Sequence, residues 1–213
     1  FLDGSDIDKI RKYCGIGLID GVTTNPSIIL KSGKNMIEVI SELAGIVSGS
    51  VSAEVSALDS DTMVQEGIKL AEIAENVTVK LPITWDGLKA CKTLSKKGIS
   101  VNMTLCFSSS QALLAAKAGA EYVSPFIGRL DDLNLEGIDL ISDIKLIYSN
   151  YKFSTKILAA SIRTINHVKQ CARFGADIAT IPLDIFEKLV KHPLTDSGLS
   201  QFTADWEKTG QSI

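Results

Sequence analysis

Short runs of β-branched and apolar residues alternate with segments of helical period along the whole of this chain, and that alternation narrows the possible folds more than any other feature. The strand candidates are Phe1–Asp3, Leu18–Thr23, Val51–Val55, Val77–Leu81, Ile99–Thr104, Tyr122–Phe126, Lys156–Ala160 and Asp177–Ile181. Helical patterns lie between them at Asp61–Glu75, Gly87–Lys97, Ser108–Ala118, Gly137–Ser149 and Ile165–Phe174, and cap residues such as Ser5, Asp6, Asp59, Ser60 and Ser108 mark helix starts. The blocks Ala118–Val123 and Phe174–Ala179 repeat one helix-stop, turn and strand-entry device. A parallel strand needs a long crossover, and helices of this length supply it. The expected fold is α/β, a single (β/α)8 TIM barrel over residues 1–213, although a doubly wound open sheet satisfies the same strand count. After the eighth strand come a helix at Leu183–Lys191 and an amphipathic segment at Leu199–Lys208. The latter exceeds what barrel closure requires, so residues 197–213 are expected to form a C-terminal helical extension used in oligomer packing.

Composition fits one domain with a continuous core: 213 residues, 45% hydrophobic and 22% charged, with a mean hydropathy of +0.19. The net charge of -3 and the lack of any Lys/Arg run argue against nucleic acid or an acidic membrane as partner. No apolar run approaches the roughly 18 residues of a membrane span, and no signal peptide is apparent, so a cytoplasmic protein is expected. Cys14, Cys91, Cys106 and Cys171 are scattered without paired spacing and read as small hydrophobes in a reducing compartment.

In parallel strands, buried on both faces, a polar residue is costly unless it has a partner or a task. The polar residues here gather at the carboxyl ends. Asp3 ends the first strand, Thr23-Thr24-Asn25 the second, and Glu54 and Lys80 lie late in the third and fourth. Asn102 and Thr104 share one face at the end of the fifth; Ser124 precedes Pro125-Phe126 on the sixth, with Arg129 beyond, and Ser161 and Arg163 follow the seventh. Barrel active sites are built at that end.

Lys80, within Val77-Thr78-Val79-Lys80-Leu81-Pro82, must point into the interior or find a carboxylate. Its bland reading is a buried ion pair with Asp3 or Glu54; its functional reading is an amine nucleophile that attacks a ketone. Asp3 and Glu54 would balance its charge and could also move protons. Arg129 and Arg163 offer bidentate grips for a phosphate, with Ser161 as a further donor. Asn25 reads equally as an Asx turn before Pro26, and Phe126 as core. His167 and His192 read as surface or capping residues, and two distant histidines do not make a metal site.

At these residues the sequence resembles the transaldolase family, in particular its short bacterial and archaeal branch. The likeness is carried by Phe1-Leu2-Asp3, Gly21–Ser27 (GVTTNPS), Val51–Val55, Val79–Pro82, Asn102–Leu105, Tyr122–Arg129 (YVSPFIGR) and Ala159–Arg163, and extends to Asp205-Trp206. Gly4 departs from the Thr or Ser usual there. The resemblance implies transfer of a dihydroxyacetone unit between sugar phosphates in the pentose phosphate pathway, without metal or organic cofactor. Lys80 would form the Schiff base, Glu54 would act through a water held with Thr104, and Asp3 would take the proton from the C4 hydroxyl. Thr23, Asn25, Asn102, Ser124 and Phe126 would line the substrate, and Arg129, Arg163 and Ser161 would hold its phosphate. It also implies a homo-oligomer, a pentamer or a decamer of pentameric rings. The related fructose-6-phosphate aldolase activity is the alternative, typically with Gln at the position of Glu54 and Tyr at that of Phe126. A deoxyribose-phosphate type of lysine aldolase fits less well, because its sequence blocks differ. A non-catalytic sugar-phosphate-binding barrel is the contrasting class.

Overall fold

The computed structural model describes residues 1–213. Strands β1 (Leu2–Asp3), β2 (Val22–Thr23), β3 (Val51–Glu54), β4 (Val77–Pro82), β5 (Val101–Cys106), β6 (Tyr122–Pro125) and β7 (Lys156–Ala159) lie side by side in chain order, all parallel. The last strand comes in two pieces broken at Thr180: β8 (Ile178–Ala179) pairs with β7, and β9 (Ile181–Pro182) pairs with β1. One stretch of chain therefore joins the two ends of the sheet, and the structure is the barrel and not the open sheet.

The helices are α1 (Ile7–Gly15), α2 (Pro26–Ser32), α3 (Met36–Ile46), α4 (Ser60–Ala71), α5 (Trp85–Lys96), α6 (Ser109–Ala118), α7 (Ile127–Asp131), α8 (Asp139–Tyr151), α9 (Ile165–Phe174), α10 (Leu183–Phe186) and α11 (Pro193–Thr209). None is long and apolar enough to cross a membrane. Helices α4, α5, α6 and α9 each start at a side-chain cap: Asp59, Thr84, Ser108 and Thr164 accept the backbone N–H three residues on. Gly119 and Gly175 end α6 and α9 with φ of 93° and 83°, a left-handed conformation natural to glycine, and this is the physical basis of the repeated device in the sequence. Strand residues such as Leu2, Val51, Val79, Val101 and Ile157 pack with helix residues such as Ile40, Leu43, Met63, Leu94 and Ile144 in one core. Truncating a fully buried member such as Met63 to Ala costs ~2–5 kcal/mol by the usual core scale.

The two ends of the barrel differ. At the amino end, the hydroxyls of Ser50, Thr78 and Ser100 bond to one another, Ser50–Thr78 at 2.7 Å and Thr78–Ser100 at 3.2 Å. Inside the barrel the charged side chains Asp3, Glu54 and Lys80 stand at the carboxyl end, as the pattern of strand endings predicts.

Some elements differ from the sequence expectation. The second strand begins at Val22 and not Leu18, because Gly17 turns left-handed after α1 (φ 79°) and Leu18 runs exposed over the surface. Helices α2 and α3 fill a stretch without a strong period, each set by an asparagine cap, Asn25 and Asn35. The helix expected over Leu183–Lys191 stops at Phe186, beyond which Lys188, Leu189 and Lys191 donate three residues back in tight turns. The terminal helix starts at Pro193, capped by the His192 side chain, ahead of the expected Ser197 boundary.

Candidate active site

Lys80 and Glu54 face each other across β3 and β4 as register partners. Lys80 is 5% exposed; its Nζ lies 2.9 Å from Glu54 Oε2 and donates to the Thr24 carbonyl at 3.0 Å. The ion pair and the nucleophile are therefore compatible readings of one lysine, and its partner is Glu54, not Asp3. Removing two charges from water is costly, and such a pair persists only where geometry and added hydrogen bonds offset the loss.

Asp3 takes a different partner. Its Oδ1 accepts from Thr23 Oγ1 at 2.7 Å, and the same Thr23 oxygen lies 2.6 Å from Thr180 Oγ1. A hydroxyl has one proton, so if Thr23 donates to Asp3, Thr180 must donate to Thr23. The order Thr180, Thr23, Asp3 is a directed relay that holds the carboxylate in place. Burial pushes the Asp3 carboxyl above the usual aspartate range, with the Thr23 bond and the charge of Lys80 pulling it partway back.

On β5, Asn102 is fully buried, accepting from Ser124 Oγ at 2.8 Å and donating to Ser52 Oγ at 3.3 Å. Thr104 is buried with a hydroxyl that has no protein partner. Leu105 beyond it has φ 59°, at the irregularity in the β5–β6 register between Met103 and Cys106. Phe126 closes β6, its ring edge-to-face with Phe107 at 5.7 Å and the Arg129 guanidinium 5.0 Å from its centroid. Arg163 grips both carboxylate oxygens of Asp132. Ser161 also adopts a left-handed conformation (φ 59°), and its carbonyl accepts the Gly128 N–H. A Cβ at Gly128 would lie 2.2 Å from that carbonyl oxygen, so glycine is required for α7 to meet the loop after β7 so closely.

A cavity of about 230 Å³ gathers Asp3, Thr23, Asn25, Lys80, Ser124, Phe126, Arg129, Ser161 and Arg163, with Thr180. Glu54 reaches it through Lys80 and Asn102 through Ser124, whereas Thr104 contacts none of these by hydrogen bond. A larger, mainly apolar cavity of about 690 Å³ lies alongside, sharing Asn25, lined by Glu54 and walled by Ile29, Leu30, Met36, Ile37 and Leu70. The chemistry-bearing side chains converge in the smaller one. No three His, Cys, Asp or Glu side chains form a metal-holding cluster.

Sequence reasoning passed over Thr180, although a polar residue late in the eighth strand fits the rule that found the others. It also passed over Asp131 and Asp132, which sit at the end of α7, a helix too short to leave a periodic signal. His167 requires correction: it is neither a free surface residue nor a cap. Its Nε2 lies 3.2 Å from Asp131 Oδ2 and its Nδ1 accepts the Arg163 backbone N–H at 3.3 Å, tying α9 to α7. His192 does cap α11.

The family described as Transaldolase/Fructose-6-phosphate aldolase matches residues 1–213. A protein of Roseobacter denitrificans named "Probable transaldolase" is 65% identical over 213 residues, all of this chain and 98% of that one. Proteins of the same name from Dinoroseobacter shibae and Parvibaculum lavamentivorans are each 61% identical, again over all of this chain and 98% of theirs. With the match running through every strand that carries a site residue, the chain belongs to the transaldolase/fructose-6-phosphate aldolase family.

Proposed function

We propose that the protein is a transaldolase. It would move a dihydroxyacetone unit from sedoheptulose 7-phosphate or fructose 6-phosphate to glyceraldehyde 3-phosphate or erythrose 4-phosphate, through a Schiff base on Lys80, as a step of the pentose phosphate pathway. The observation that carries this reading is a lysine buried against a carboxylate beside a cavity that also presents Asp3 and two arginines. The name shared by relatives at 61–65% identity supports transfer over simple cleavage.

Passage of the Lys80 proton to Glu54 within their pair frees the nitrogen lone pair, which adds to the ketose C2 carbonyl. Glu54, through a water held with Thr104, assists loss of hydroxide as water from the carbinolamine, and the iminium forms. Asp3 takes the C4 hydroxyl proton as the C3–C4 bond breaks; its electron pair passes to the iminium, giving an enamine, and an aldose phosphate leaves. The enamine then attacks the acceptor aldehyde, Asp3 returns a proton, and hydrolysis frees Lys80. Asn25, Asn102 and Ser124 hold the dihydroxyacetone hydroxyls, Thr23 holds Asp3, and Phe126 covers the tethered unit. The iminium is the electron sink, so the scheme uses no metal or organic cofactor.

The working form would be a cytoplasmic homo-oligomer, a pentamer or a decamer. Exposed Leu199, Phe202 and Trp206 on α11 support this, since an apolar stripe favours burial against another surface. The transfer assignment is tested by turnover of fructose 6-phosphate with and without erythrose 4-phosphate. Fast transfer and slow release of dihydroxyacetone are expected. Equal rates would make the protein a fructose-6-phosphate aldolase instead.

A further inference from the structure

We propose that Asp132 is a resident counter-anion that occupies the Arg163 fork between turnovers and yields it to the substrate phosphate, so that Asp132 sets how tightly phosphorylated sugars bind. The inference rests on the reading of Arg129 and Arg163 as a phosphate grip.

Asp132 meets Arg163 fork to fork, Nη1 to Oδ1 and Nη2 to Oδ2, the latter at 2.6 Å. A phosphate takes the same two-pronged geometry on a guanidinium, so carboxylate and phosphate compete for one set of donors. The arrangement is built by the fold. The Arg163 arm crosses α7 at Gly128, where a Cβ would stand 2.9 Å from Nε and 3.0 Å from Cδ. Asp132 lies four residues further along and on the same side of α7. The Arg163 backbone is meanwhile fixed by its N–H bond to His167 Nδ1.

Two adjacent carboxylates divide the work. Asp131 is committed to the scaffold, accepting from the Gly137 N–H at 3.0 Å and facing His167 Nε2 at 3.2 Å. Asp132 has no partner but Arg163, and its side chain is half exposed. Releasing it leaves a solvated carboxylate and breaks nothing else. The Arg163 bond, joined by the charges of Arg163 and Arg129, holds the Asp132 carboxyl below the usual aspartate range, so it stays anionic and competes. A dianion with three acceptor oxygens, shared by two arginines, can displace it, whereas a single carboxylate on a ligand gains little. The site would thus favour phosphomonoesters over sugar acids.

The test is Asp132→Asn in the full chain, with erythrose 4-phosphate and unphosphorylated D-glyceraldehyde as acceptors and inorganic phosphate as competitor. The KM for the phosphorylated acceptor and the phosphate inhibition constant should each fall about two- to fivefold, the range an exposed ion pair supports. The KM for D-glyceraldehyde and kcat should not move. If Arg163→Ala raises the phosphorylated KM while Asp132→Asn raises it too or leaves it alone, Asp132 orients Arg163 or is idle, and the proposal is overturned. If Arg163→Ala and Arg129→Ala leave that KM unchanged, the phosphate grip itself is wrong, and the proposal goes with it.

Discussion

Glu54 and Lys80 are register partners on adjacent parallel strands, and their side chains meet at 2.9 Å within the barrel. In parallel pairing, one step of register moves a side chain to the other face, so the strand alignment that builds the barrel also builds this contact. In the proposed scheme the acid that exchanges a proton with the amine would thus be delivered by the fold, with no loop to close.

In the proposed scheme Asp3 would tie catalysis to stability. Its folded-state pKa is raised by burial, so the folded state holds the proton more tightly than the unfolded chain. The stability it contributes is fully present below the ordinary aspartate range and is lost as pH rises through the raised value. Asp3→Asn should therefore raise Tm at neutral pH, with the gap closing as pH falls below the ordinary aspartate range. Wild-type transfer should fail as pH falls through the raised value, because a protonated Asp3 cannot take the C4 proton. Calorimetry across pH checks the first part; a gap independent of pH would contradict it.

Thr104→Val separates a structural hydroxyl from a functional one. The Thr104 hydroxyl has no protein partner, so its removal should change stability by less than ~1 kcal/mol. If it holds the water used by Glu54, kcat should fall at least about tenfold. Denaturant melts and steady-state rates on one preparation decide the matter, and unchanged kcat would leave Thr104 without a role.

In the proposed scheme the ring of Phe126 would bear on the fate of the tethered enamine. It packs against Phe107 and under Arg129, and a phenyl ring cannot supply the proton that releasing free dihydroxyacetone requires. Phe126→Tyr should raise the ratio of cleavage to transfer, and Glu54→Gln in that background should raise it further. Product analysis with and without acceptor gives both rates.

Removing the chain from Ser197 onward should lower the assembly mass measured by light scattering. That deletion takes away Leu199, Phe202 and Trp206, which are exposed on α11 and contribute nothing to the core of their own subunit. An unchanged mass would show that α11 has no part in assembly.

The fold and much of the cavity are legible in the sequence because both rest on strong local rules. Period and cap residues mark the α/β alternation, and charged or polar strand ends mark the open face. Thr180 obeys that rule but lies between two dipeptide strands, where β8 hands over to β9, and its meaning depends on the Thr23 contact across the closure. The partner of Lys80 needs strand register, which a single sequence leaves open between Asp3 and Glu54. Asp131 meets His167 between α7 and α9, Asp132 meets Arg163 in the loop before α9, and α7 is five residues long. The Leu18–Thr23 run shows the converse error, where an exposed leucine after a turn imitates a strand start.

In the proposed scheme Lys80 forms a covalent imine with the donor. Incubation with fructose 6-phosphate followed by borohydride should leave a dihydroxyacetone-derived mass on the peptide containing Lys80, located by tandem mass spectrometry, and Lys80→Ala should carry none. An adduct that persists in Lys80→Ala, or that maps to another lysine in the wild type, would rule out Lys80 as the nucleophile.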